Sequence, residues 1–146
     1  MPPARPLHIK LQKRIERLLE EHAGERCVVT MEFPYRPVPN LQFWFADVAC
    51  ILRADWVALP PDEYPVYATV LIVEVLSPSN RPAKVNRQRI VAMSAGTQEF
   101  WVVDADQPAV LVTDLTGTRT YGPGQSIPSA IYDGAIAVDD IFAAWA

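Results

Sequence analysis

Two stretches of this chain, residues 43–52 (FWFADVACIL) and 66–76 (VYATVLIVEVL), are apolar almost throughout, and each is broken by a single carboxylate. An apolar run that does not alternate leaves no face for water. It therefore predicts a strand covered on both sides, in the interior of a sheet. Layers must lie on both faces of that sheet, which makes the expected class α/β, a mixed central sheet flanked by helices.

The rest of the chain supplies those layers. Leu11, Ile15, Leu18 and Leu19 recur at helical spacing and form one apolar stripe, with Gly24 placed to end the helix. Residues 27–33 (CVVTMEF) read as a strand that stops at Pro34. RPVPN at 36–40 and RADWVALPPDEYP at 53–65 carry the proline and aspartate of loops. A second helix is expected over 82–95, capped by Ser79 or Asn80 and closed by Gly96. EFWVVD (99–104) and AVLVTD (109–114) read as a hairpin turning at 105–108. A short strand at 119–121 and a last helix from Asp140, capped by Asp139, follow. With no repeat, linker or low-complexity segment, residues 1–146 are expected to be one domain.

Composition narrows the partners. The chain is 50% hydrophobic and 21% charged, a globular balance. The N-terminus has no apolar core of a secretory signal and no run is long enough to cross a membrane, so the expected location is the cytoplasm. Cys27 and Cys50 are then expected as buried free thiols. The net charge of -4 argues against a surface that is basic all over, yet the charge is uneven. Residues 1–89 hold twelve Lys/Arg against ten acids, and residues 90–146 hold one Arg against seven. Nine of the 13 cations fall in residues 5–17 and 81–89, where a polyanion would bind.

Asp47 and Glu74 are the residues that interrupt the two apolar strands. A carboxylate there is costly unless a cation, a metal or hydrogen-bond donors compensate it. One such acid alone could as readily be the partner of a buried Arg or Lys. Two on successive strands can point into one cavity and hold a hard cation through oxygen, as Mg²⁺ prefers. Glu32, at a strand end, is a third acid, expected in an exposed salt bridge. Arg81, Lys84 and Arg87 or Gln88 share a helix face, which is either an ordinary solvated surface or a phosphate-binding one. His8 and His22 are expected at the surface and not as ligands. Trp44, Trp56, Trp101 and Trp145 are expected in core or interface. No G-x-S-x-G, P-loop or C-x-x-C pattern occurs.

The segments ADVACI, LIVEVLSPSN, AxxAGxxEFWVVD and the closing IFAAW resemble the Uma-type restriction-endonuclease family of the PD-(D/E)XK nuclease superfamily. The resemblance is strongest over residues 27–104. It implies a restriction-endonuclease-like core of order α-β-β-β-α-β, with Asp47 and Glu74 as metal ligands and the carbonyl of Val75 completing the site. It also exposes a departure: the superfamily lysine expected two residues after Glu74 is Leu76. Uma-type proteins carry the amine on the next helix instead, where this chain has Gln88, and an acid one turn earlier, where it has Lys84.

Two readings follow from the resemblance. In the first, the protein is an Mg²⁺- or Mn²⁺-dependent endonuclease acting on DNA. Asp47 and Glu74 would hold the metal, Lys84 and Gln88 would act at the phosphate or its water, and Arg81, Lys84 and Arg87 would bind the backbone. In the second, it is a catalytically inactive module of the same fold that binds nucleic acid or works as a homodimer. Purely structural acids, with no nucleic acid as partner, are the remaining possibility.

Overall fold

The computed structural model of the chain describes residues 5–37, 43–77 and 82–144. The expected stripe builds helix α1 (Pro6–Ala23), whose buried residues include Leu11, Ile15, Leu18 and Leu19. Gly24 closes it at φ 55°, the left-handed conformation that glycine takes without a side-chain clash, and donates its N–H to the Glu20 carbonyl. Strands β1 (Cys27–Tyr35) and β2 (Trp44–Leu52) pair antiparallel, from Cys27 opposite Leu52 to Tyr35 opposite Trp44.

The loop expected over 53–65 begins instead with a short helix, α2 (Arg53–Ala58). Its sequence, RADWVA, contains neither proline nor glycine, and the breakers begin only at Pro60. The apolar run 66–76 is likewise a strand only in its second half, β3 (Leu71–Val75). Residues 68–70 are buried for another reason. Ala68 N–H bonds to Ala95 O, and Val70 O accepts both Gln98 and Glu99 N–H, so this stretch pairs with the connection that leads into the fourth strand.

Helix α3 (Pro82–Ser94) crosses from β3 to β4 (Glu99–Asp104), which lies parallel to β3. Strands β5 (Ala109–Asp114) and β6 (Gly117–Tyr121) add antiparallel hairpins, giving one six-stranded sheet in the order β1-β2-β3-β4-β5-β6. A small two-stranded sheet, β7 (Ser126–Pro128) with β8 (Ala135–Ala137), was not expected. The last helix, α4, spans Val138–Ile141 and has no side-chain cap. Asp139 lies in its first turn and accepts the Gly124 N–H instead. The Ser79 or Asn80 cap, Arg81 and Trp145 fall outside the described residues.

The sheet is covered on both faces, as its apolar interior strands require. On one side Leu11, Ile15 and Leu19 of α1 pack against Val73, Trp101 and Val103. On the other, Ile72, Phe100 and Ala49 meet Ala92 of α3. Each large side chain buried here is worth about 1.5–3 kcal/mol. Trp101 is fully buried, Trp44 half-buried and Trp56 exposed. Cys27 and Cys50 are buried free thiols. Among the described residues no helix is long and apolar enough to cross a membrane.

Candidate active site

The site lies where β2 and β3 part. Their ladder runs only from Cys50–Leu71 to Val48–Val73. One residue further the register sets Asp47 opposite Glu74, and there the side chain replaces the ladder: Asp47 Oδ2 accepts the Val75 N–H at 2.7 Å. In an extended strand a residue's N–H and C=O point to the same side. The Val75 carbonyl therefore also faces this gap.

Glu74 alternates with Val73 and Val75, which belong to the α1 side of the core, so its side chain points to the opposite face. It is only 5% exposed, and its Oε1 is buried with no hydrogen-bond partner. Burial holds its carboxyl protonated far above the ordinary range. The neighbouring Asp47 carboxylate adds to this, by its charge and by hydrogen bonding, and the charge of Glu32 adds further. The charge of Lys84, from the first turn of α3, pulls in the other direction.

Helix α1 closes the site from the other side, with two residues that fall on its buried stripe. His8 Nε2 lies 3.5 Å from Asp47 Oδ1, and both side chains are largely buried. Hydrogen bonding to Asp47 raises the His8 pKa, desolvation opposes this, and the charges of Asp47 and Glu32 reinforce it. His8 is thus no surface residue, contrary to expectation: the apolar stripe extends one turn toward the N-terminus and carries it inward. Gln12, 1% exposed, donates from Nε2 to Glu32 Oε1 at 2.7 Å and to the Asp47 carbonyl at 3.1 Å. Glu32 is exposed, and besides Gln12 it lies near His8 and Asp47. Its φ of 52° is the one left-handed value at a non-glycine position among the described residues. Such a conformation costs on the order of 1–3 kcal/mol and is found where surrounding contacts over-determine it.

His8, Glu32 and Asp47 each offer a ligand atom within 4.8 Å of the others. The donor set is oxygen-rich with one nitrogen, and the partnerless Glu74 oxygen lies beside it. A divalent cation fits such a set, because it would offset both the burial and the repulsion between acids that raise the Glu74 pKa.

The basic helix is divided in its roles. Lys84 and Arg87 are exposed. Gln88 is half-buried and lies on the side of α3 that carries Val85 and Ala92. Arg89, not singled out from sequence, reaches Thr113 and Thr118 across the β5–β6 hairpin. Beside the acids a cleft of about 660 Å³ runs between α1 and α3. Its walls include His8, Leu76 and Val85, with Arg5 and Arg89 as its cations. Leu76 therefore lines the cleft at the position where the superfamily pattern would place a lysine.

Glu99 is a further buried acid that sequence reasoning passed over. Trp101 Nε1 donates to its Oε1 at 2.7 Å and Ser129 Oγ to its Oε2 at 2.6 Å. With both oxygens satisfied, it belongs to the scaffold.

A mixed six-stranded sheet with helices on both faces, its second and third strands parting around an acid pair, agrees with the restriction-endonuclease-like core that the resemblance implied. The chain belongs to the Uma2 family, described as "Putative restriction endonuclease", whose model matches residues 1–130. A solved structure described as "a putative nuclease belonging to DUF820 from Anabaena variabilis ATCC 29413" is similar to it with a TM-score of 0.84. The two are 17% identical over 97% of this chain and 83% of that one, and it is the fold that they share. No curated protein matches the chain.

Proposed function

We propose that the protein is a metal-dependent endonuclease that hydrolyses phosphodiester bonds in DNA, with Asp47 and Glu74 as its central metal ligands and the Val75 carbonyl beside them. The observation that carries this reading is the Glu74 oxygen, buried without a partner next to a second carboxylate. A purely structural acid would be expected to resemble Glu99, whose two oxygens are both hydrogen-bonded.

When bound, a divalent cation polarises the phosphate and lowers the pKa of a coordinated water. The protein's own groups set the stage for that chemistry. The Val75 N–H fixes the Asp47 carboxylate, and Gln12 ties the Asp47 main chain to Glu32. Lys84, whose charge acts on Glu74, takes the part of the amine that the family pattern places at Gln88 and offsets charge building on the phosphate. Gln88 holds water or phosphate oxygen without charge. Lys84 and Arg87, with Arg81 before them, run along the nucleic-acid backbone.

A second reading is favoured by one specific observation. Leu76 and Gln88 leave both usual positions of the amine uncharged. If Lys84 does not substitute, the protein is a nucleic-acid-binding module of nuclease fold with little or no turnover. Incubation with circular DNA and Mg²⁺ or Mn²⁺ separates the two. Nicking that is abolished by EDTA and by Asp47→Asn supports the enzyme. Salt-dependent binding without nicking supports the module.

A further inference from the structure

An acid pair alone suits any hard divalent cation, but this site also offers a nitrogen. We propose that His8 is a ligand of the bound ion and biases the site toward divalent transition ions over Mg²⁺. The inference rests on the metal-site reading above and adds to it the identity of a ligand and of the preferred ion.

Three observations carry it. First, the ring is delivered by a fixed frame: His8 lies one turn before Leu11 and two before Ile15, each 1% exposed in the core. Second, its ligand atom lies within 4.8 Å of one oxygen each from Glu32 and Asp47. One ion with metal–ligand bonds of roughly 2.0–2.5 Å spans about that distance between opposite ligands. Third, the Glu74 oxygen is buried and partnerless, and it is a separate sign that a ligand is missing from this gap. A His8–Asp47 ion pair accounts for the contact between those two residues. It does not reach the Glu74 oxygen, and it gives no reason for Glu32 to be held at a left-handed φ beside them.

The chemistry of the donor sets the preference. Mg²⁺ takes oxygen ligands and keeps several of its waters, whereas imidazole is a natural ligand of the later divalent ions. A site in which one of the first ligands is a nitrogen therefore favours transition ions over Mg²⁺, and even Mn²⁺, the weakest binder of their series, should show the preference.

Pulsed electron paramagnetic resonance of the Mn²⁺-loaded protein tests this directly. The sequence contains two histidines and His22 lies at the far end of α1, so an imidazole ¹⁴N coupling identifies His8. Calorimetric titration with Mn²⁺ and with Mg²⁺ accompanies it. The expected result is ¹⁴N modulation in the wild type that is lost in His8→Ala, together with an Mn²⁺ preference of about ten-fold or more that His8→Ala largely removes. Mn²⁺ bound without ¹⁴N coupling, but lost in Asp47→Asn, overturns the role of His8 and leaves the metal site standing. Failure of both ions to bind the wild type overturns both.

Discussion

The Asp47 carboxylate accepts the Val75 N–H at 2.7 Å across the gap between β2 and β3, where a main-chain pair would otherwise continue the ladder. This contact shapes the site. It spends one side-chain oxygen on holding the strands at a fixed spacing and leaves the other directed at His8.

Glu74→Gln should stabilise the metal-free protein at neutral pH. The folded-state pKa of Glu74 lies above its unfolded value, so its contribution to stability is fully present below the unfolded pKa and is lost as pH rises toward the folded one. Removing the ionisable group should gain on the order of 1–3 kcal/mol above about pH 6, with the gain shrinking toward about pH 4. Thermal melts across pH, with chelator present, measure it. A melting point lower than wild type at neutral pH would mean that the carboxylate is compensated in the folded state.

Metal affinity should rise with pH. With the proposed ligands, ion binding would displace protons from Glu74 and His8, both of which hold them to higher pH than usual. Calorimetric titrations in buffers of different ionisation enthalpy should show proton release, with affinity rising by about ten-fold or more between about pH 5.5 and 7.5. Affinity independent of pH would place the ion elsewhere.

If Lys84 offsets charge on the phosphate as proposed, Lys84→Ala should lower cleavage by about 10²–10³, a larger loss than any accompanying change in metal affinity. Gln88→Lys should leave wild-type cleavage within a few-fold and partly rescue Lys84→Ala. If Gln88→Lys alone raises cleavage by about 10² or more, the enzyme had lost its amine and Lys84 was not replacing it.

DNA affinity should fall linearly with salt on a log–log plot, and Lys84→Ala with Arg87→Ala should flatten the slope by about one to two. Fluorescence anisotropy over a salt series reads the slope. An unchanged slope would move the DNA to another face.

Much of this arrangement could be read from the sequence, and the rest could not for identifiable reasons. Asp47 and Glu74 stood out because a charge in an apolar strand has few explanations, and the alternation of β3 then sets the face on which Glu74 lies. His8 and Gln12 carried a weaker signal. Both fall on the stripe of Leu11, Ile15 and Leu19, but a polar residue at the end of an amphipathic helix is usually solvated, and only packing against β2 buries these two. The fully hydrogen-bonded state of Glu99 depends on Ser129, thirty residues away, and no local pattern announces it. The run at 66–76 misled for a related reason: apolar character reports burial, and residues 66–70 are mostly buried without joining the ladder.

The most direct test of the metal site is an anomalous-scattering experiment on crystals soaked in Mn²⁺. The account predicts one strong peak in the gap between β2 and β3, within about 2.5 Å of carboxylate oxygens from both Asp47 and Glu74 and of the His8 ring. A well-ordered site with no peak, and with both carboxyls placed as in the metal-free protein, would contradict it.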